Sequence, residues 1–260
     1  MKLRDVIVTL ERFAPLSLQD EYDNAGLQIG LTEDAEVSGV LLCLDVTEDV
    51  IDEAVACGCN VVVSHHPLLF HPLRRIAGED YVQRCVMHAI RCGVAVYSAH
   101  TNLDNAPGGV SWRMAEKMRL TDVKVLQPNE GVEGAGAGVV GDLPEAMSAD
   151  EFCGLLRDCF KVDCVRHNDV GQRSIKRVAL CGGAGAFLMS TALRAGADAF
   201  VTGEIGYHRF FGYENQMLLA EIGHYESEQY TVDLFADILS PTRVRICKTQ
   251  LKTNPVRYRV

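Results

Sequence analysis

Ala54-Val-Ala-Cys-Gly58-Cys-Asn60-Val-Val-Val-Ser64-His65-His66-Pro67 is the stretch on which the reading of this chain turns. A helical pattern stops at Gly58, as helices commonly do at glycine. A short valine run bounded by turn signals then reads as a strand buried on both faces. Two histidines stand where that strand ends. In a regular strand neighbouring side chains point to opposite faces, so His65 and His66 could not both grip one ion there. At a strand end they can diverge and serve two. Pro67 supports this reading: it biases His66 toward an extended backbone and removes a donor from the ladder.

The stretch has an echo in Ala192-Leu-Arg-Ala-Gly196-Ala-Asp198-Ala-Phe-Val-Thr202, followed by Gly203-Glu204. Any helix-to-strand unit has this look. The functional alternative is two similar lobes, each presenting the carboxyl ends of its strands to a shared cleft. Strand and helix patterns alternate along the chain, with strands expected at 37–44, 60–64, 94–98, 123–126, 135–140, 162–166, 177–181, 198–202, 217–221 and 244–248. Helices are expected at 48–57, 79–92, 109–120, 148–160, 186–195 and 225–239. Thr47 is placed to cap one helix, and Ser148 with Glu151 has capping-box spacing in another. Such alternation predicts an α/β fold with mostly parallel sheets and helices on their faces. The cluster Gln127–Gly134 marks the expected junction, giving lobes 1–127 and 128–260. The final strand-helix-strand segment is expected to pack back on the first lobe.

Two further groups of ligand type sit in loops after strand patterns. Asp104 lies in the turn-rich His100-Thr-Asn-Leu-Asp104-Asn-Ala-Pro-Gly-Gly. His224 and Glu228 are four apart, which puts both on one face of a helix starting near His224. Taken singly, each group is more often plain surface. Together, three imidazoles and two carboxylates exceed what one cation needs, and they suit two divalent cations sharing a carboxylate. The expected metal ligands are therefore His65, His66, Asp104, His224 and Glu228. His100, Glu204 and His208 are expected as partners of those ligands or as proton donors, and plain hydrogen-bonding scaffold is an equal alternative for each. His71, His88 and His167 receive no role. The loop Cys181-Gly-Gly-Ala-Gly-Ala186 could approach a phosphate through its backbone N–H groups, but a tight strand-to-helix turn is the favoured reading.

Bulk properties narrow the function classes. The formal net charge of −10 argues against broad nucleic-acid binding and favours attraction of cations. No apolar run approaches the roughly 18 residues of a membrane span. The N-terminal pattern Leu3, Val6, Ile7, Leu10, Phe13 is an amphipathic helix with acidic residues, so export is not expected and a cytoplasmic location is. The ten cysteines contain no Cys-x-x-Cys pair, and they are expected as reduced, mostly core thiols.

The motifs Asp23-Asn24-Ala-Gly26-Leu27-Gln28-Ile-Gly30, Ser64-His65-His66-Pro67-Leu68, His100-Thr-Asn-Leu-Asp104, Thr202-Gly203-Glu204…Tyr207-His208 and Gly223-His224-Tyr225-Glu226-Ser227-Glu228 resemble, in order, those of the Nif-three-like proteins. These are often labelled type 2 GTP cyclohydrolase I homologues. The resemblance runs over nearly the whole chain, to the closing Asn254-Pro255…Tyr258. It implies a two-lobed subunit with a dinuclear metal centre between the lobes, the same five ligands with Glu228 bridging, and a toroidal homohexamer. Two departures stand out: Tyr22 where many members carry Trp, and Val139 where Arg is common.

Three functions follow as expectations. The first is a metal-dependent hydrolase acting on a nucleotide or phosphoester through a metal-activated water, with two divalent ions (Zn, Fe, Mn, Ni or Co) per subunit. The second is a non-enzymatic ring that handles metal or regulates through protein partners. The third is a structural cluster that ties two lobes together.

Overall fold

The computed structural model describes residues 1–30, 32, 34–169, 171 and 173–259. The chain forms two compact units. One comprises Met1–Leu103 with Thr231–Pro255, the other Asp104–Tyr230 with Val256–Val260. In chain order the first unit contributes α1 (Leu3–Phe13), β1 (Gly26–Ile29), β2 (Val40–Cys43), α2 (Glu48–Ala56), β3 (Val61–Ser64), α3 (Tyr81–Cys92), β4 (Ala95–Ser98) and α4 (Thr101–Asp104), whose last residue opens the second unit. The second unit contributes α5 (Val110–Lys117), β5 (Thr121–Pro128), β6 (Gly136–Met147), α6 (Ala149–Phe160), β7 (Arg166–His167), β8 (Ile175–Cys181), α7 (Met189–Arg194), β9 (Ala199–Thr202), β10 (Leu218–Glu221) and α8 (His224–Glu228). The chain then returns to the first unit with α9 (Thr231–Leu239) and β11 (Ile246–Lys248).

The first unit's sheet has the order β1-β4-β3-β2-β11. β11, β2, β3 and β4 are mutually parallel, and β1 adds antiparallel to β4. The valine-rich β3 is buried along its whole length, as a central parallel strand with both faces covered must be. Val50, Ile51 and Ala54 of α2 and Cys85, Val86 and Ala89 of α3 bury against Leu41, Val62 and Val96. Thr47 caps α2 by accepting from Val50 N at 3.2 Å, and Asp80 caps α3 by accepting from Gln83 N at 2.8 Å.

The second unit's sheet has the order β5-β6-β8-β9-β10-β7. Its centre, β8-β9-β10, is parallel as expected. Its flanks are not: β6 runs antiparallel to both β5 and β8, and β7 antiparallel to β10. β5 and β6 form a hairpin over the glycine-rich segment read as a junction. Its register requires Gly136, since a Cβ there would lie 2.1 Å from Gln127 O. The expected 127/128 break therefore falls inside a hairpin, and the units divide elsewhere. A second difference concerns 225–239. The apolar period continues through it, but the chain forms two helices, α8 and α9, which belong to different units.

The echo seen in the sequence is a structural one. Cys59 N donates to Ala54 O and Ala197 N to Ala192 O, the same closing bond around Gly58 (φ +65°) and Gly196 (φ +72°). The next polar residue then grips the start of the neighbouring parallel strand. Asn60 Oδ1 accepts from Ser38 N, and Asp198 Oδ2 accepts from Lys176 N and Arg177 N. All ten cysteines are free thiols, and burial pushes Cys43 well up and Cys85 up to about 11.

Candidate metal centre

In the first unit the parallel register pairs Cys43 with Ser64 and Ser64 with Ser98. The residues just beyond these positions emerge together at one end of the sheet: Asp45 after β2, His65 and His66 after β3, and His100 after β4. Antiparallel pairing of Gly26 with Ser98 brings the start of β1, and Asp23 before it, to the same end. Ser64 and Ser98 hydrogen-bond through their hydroxyls at 2.8 Å, tying the two strand ends that carry the histidines.

Three imidazoles converge there. The ring centroids lie 5.0 Å apart for His65 and His66, 5.3 Å for His65 and His100, and 5.7 Å for His66 and His100. One nitrogen of each lies within 4.8 Å of those of the other two, close enough to hold a metal ion. His65 is fully buried, whereas His66 and His100 are partly exposed.

Each ring is oriented through Nδ1. His65 Nδ1 meets Ala99 O at 2.9 Å, His66 Nδ1 meets Asp45 Oδ1 at 2.7 Å, and His100 Nδ1 meets Asp23 Oδ1 at 2.7 Å. A carbonyl or carboxylate at Nδ1 selects the tautomer with hydrogen there, which leaves Nε2 with its lone pair for a ligand. Asp23 is itself fixed by Thr101, whose N and Oγ1 both donate to Oδ2. Burial pushes the Asp23 carboxyl up, but the bonds from His100 and Thr101 outweigh it and hold the group at about 2.

The second unit repeats the arrangement. Register pairs Cys181 with Thr202 and Thr202 with Glu221, so the loops after β8, β9 and β10 share one end of that sheet. They carry Gly182 and Gly183, Gly203 and Glu204, and Gly223 and His224. α8 begins at His224 and ends at Glu228. His224 Nε2 lies 3.0 Å from Glu228 Oε2, and His224 Nδ1 lies 2.9 Å from Glu204 Oε1. Glu228 is only 3% exposed, a costly setting for a carboxylate unless positive charge or donors accompany it. The glycine loop forms its floor. A Cβ on Gly183, whose φ is +59°, would lie 2.3 Å from Glu228 Oε1 and 3.3 Å from His224 Nε2. Gly183 N donates to Ser227 Oγ at 2.9 Å, and Gly183 O accepts from Thr202 Oγ1, Gly203 N and Glu204 N. The loop is thus the tight turn favoured from sequence, and its backbone carries the ligand helix.

The expected residues are distributed as follows. His65, His66 and His100 form one cluster, and His224, Glu228 and Glu204 another. Asp104 is the last residue of α4, at the start of the second unit. His208 lies exposed on the turn Tyr207–Phe210, its ring beside Tyr207 at 5.1 Å, with no side-chain hydrogen bond among the described residues. Sequence reading gave no role to Asp45 or Asp23. Asp45 had a usable signal, since it follows a strand pattern and so falls at the sheet end where His66 stands. Mixed imidazole and carboxylate donors in this state suit a divalent transition ion, so the residues present fit a metal.

Comparisons with known proteins find relatives along nearly the whole chain. The model of the Duf34/NIF3 (NGG1p interacting factor 3) family matches residues 1–255. A protein of Lactococcus lactis described as a GTP cyclohydrolase 1 type 2 homolog is 35% identical over 263 residues, which cover 98% of each chain. One of Clostridium acetobutylicum with the same description is 33% identical over 231 residues, covering 88% of this chain and 85% of the relative. The crystal structure of Staphylococcus aureus protein SA1388 superposes with a TM-score of 0.90 at 26% identity over 99% of both chains.

Proposed function

Because the chain belongs to the Duf34/NIF3 family, we propose that it binds two divalent metal ions and is a metal-dependent hydrolase of a nucleotide or phosphoester. His65, His66, Asp104, His224 and Glu228 are the ligands in this reading, and Glu228, with two carboxylate oxygens, is the shared one. The observation that carries the proposal is the common orientation of the histidines. In both units Nδ1 is held by an oxygen acceptor, which makes Nε2 the ligand nitrogen; that of His224 faces Glu228, its fellow donor in this reading. The chain leaves the first unit between Leu103 and Asp104 and re-enters it between Tyr230 and Thr231. Asp104 and Glu228 lie beside these two passages, both within the second unit.

Bound divalent ions would supply Lewis-acid polarisation of water and of the electrophilic centre of the substrate. The protein's own part is orientation. Glu204 and Asp45 hold His224 and His66, Asp23 holds His100, and the Gly183 turn seats Glu228. His100 joins His65 and His66 as a third imidazole, and His208 is the side chain assigned to proton delivery. Assembly as a ring of six copies, in the cytoplasm, belongs to the same proposal.

The test is direct. The purified chain is loaded separately with Zn, Mn, Fe, Co and Ni and screened against nucleotides and generic phosphoesters, beside the His66→Ala/Glu228→Ala variant. Metal-dependent turnover that the variant loses supports the hydrolase. Two tightly bound ions with no turnover on any substrate would favour metal handling, and the hydrolase reading would be abandoned.

A further inference from the structure

After β11 the chain runs along the first unit as a strap without regular secondary structure. It is pinned at two points. Glu53 of α2 accepts from Thr249 Oγ1 and, at 2.8 Å, from Gln250 N. Further along, Thr253 Oγ1 donates to Asp45 Oδ2 at 2.6 Å, and the adjoining Asn254 is 3% exposed. The other oxygen of Asp45 is the one that meets His66 Nδ1 at 2.7 Å.

We propose that Thr253 and Asp45 are positioning residues for His66, so that the C-terminal strap is a working part of the metal centre. The inference rests on the reading of His66 as a ligand. Its physical basis is the freedom of an aspartate about χ2, which is broad and roughly two-fold. A carboxylate at a strand end can present either oxygen, or neither, to the imidazole. The Thr253 hydroxyl has one hydrogen to donate, and it goes to Oδ2. That fixes the carboxylate plane with Oδ1 facing His66, holds hydrogen on His66 Nδ1 and keeps Nε2 available. His65 provides an internal contrast. Its Nδ1 meets the backbone carbonyl of Ala99, which does not depend on the strap. Loosening Thr253 therefore acts on His66 and leaves His65 as it was.

The experiment uses the full chain as wild type, Thr253→Val, Thr253→Ser and Asp45→Asn. In metal-free protein at pH 8, imidazole ¹⁵N shifts report which nitrogen carries hydrogen. The wild type is expected to show the Nδ1–H form for both His65 and His66. Thr253→Val shifts His66 toward a tautomer mixture with His65 unchanged, and Thr253→Ser restores the wild-type pattern. Zinc affinity, measured by chelator competition, falls about 10-fold in Thr253→Val and up to about 100-fold in Asp45→Asn, the range for partners that orient a ligating histidine. Wild-type His66 shifts in Thr253→Val, or wild-type zinc affinity there, overturn the proposal. Should Thr253→Val unfold, Asp45→Asn, which preserves side-chain volume, decides by the same two measurements. A His66→Ala variant that binds zinc as tightly as wild type would refute the ligand reading instead, and the tautomer measurement would still judge the relay.

Discussion

His224 Nε2 lies 3.0 Å from Glu228 Oε2 while its Nδ1 lies 2.9 Å from Glu204 Oε1. With Nδ1 facing Glu204, a hydrogen bond between Nε2 and Glu228 holds one proton between those two atoms. Metal binding at Nε2 must then displace a proton. Zinc added to the metal-free chain in weakly buffered solution near neutral pH is expected to release protons in proportion to the ions bound, and Glu228→Gln should reduce both quantities together. Zinc uptake with no acidification would contradict this.

Glu204 orients its histidine from an exposed position, its side chain 59% accessible. Glu204→Gln should weaken zinc binding by about 10–100-fold with little change in the melting temperature of the metal-free protein. Calorimetric titration beside thermal unfolding separates the two effects. Equal affinities would remove Glu204 from the site.

The seat of Glu228 predicts a contrast between two glycines. Gly183→Ala places a methyl against Glu228 Oε1 at a backbone angle that side chains rarely adopt, so it should both destabilise the chain and reduce bound metal. Gly154→Ala, within α6 where a Cβ meets nothing within 4 Å, should raise stability by about 0.5–1 kcal/mol and leave metal content unchanged. Urea unfolding and elemental analysis of both variants check the pair.

The box that opens α6 should be visible in the pH dependence of stability. Glu151 Oε2 accepts from Ser148 N and Ser148 Oγ, both at 2.8 Å. The bond from the Ser148 backbone, then that from its hydroxyl, holds the carboxyl below its ordinary value of 4.5. A carboxylate with a lowered folded value stabilises above its unfolded value, and that contribution fades as pH falls through the folded one. Glu151→Gln should therefore lose stability at pH 7 and converge on wild type as pH drops below about 4. Ser148→Ala should cost about 1 kcal/mol at neutral pH. Urea midpoints from pH 7 downward show whether the curves converge.

Much of this architecture is written locally. Apolar runs ending in polar loops placed β3, β4, β8, β9 and β10, and the strand-end rule put His65, His66, His224 and Glu204 where the structure has them. What escaped is what depends on distant chain. Asp45 reaches His66 across 21 positions and Asp23 reaches His100 across 77, and a lone aspartate in a loop carries no mark of its partner. The direction of β6 escaped for a related reason: an apolar run buried on both faces looks the same whether its neighbours run with it or against it. The division of 225–239 into α8 and α9 follows from the chain changing units at Tyr230, which the continuing apolar period conceals.

The sheet order has a consequence for synthesis. β11, which closes the β2 edge of the first sheet, follows the second unit's main stretch in the chain, whereas that unit is almost one unbroken stretch. A polypeptide emerging from the ribosome thus leaves the β2 edge open until residues 246–248 are made, while the second unit's main stretch can already condense. The part begun first is closed only after the main stretch of the second unit has been made.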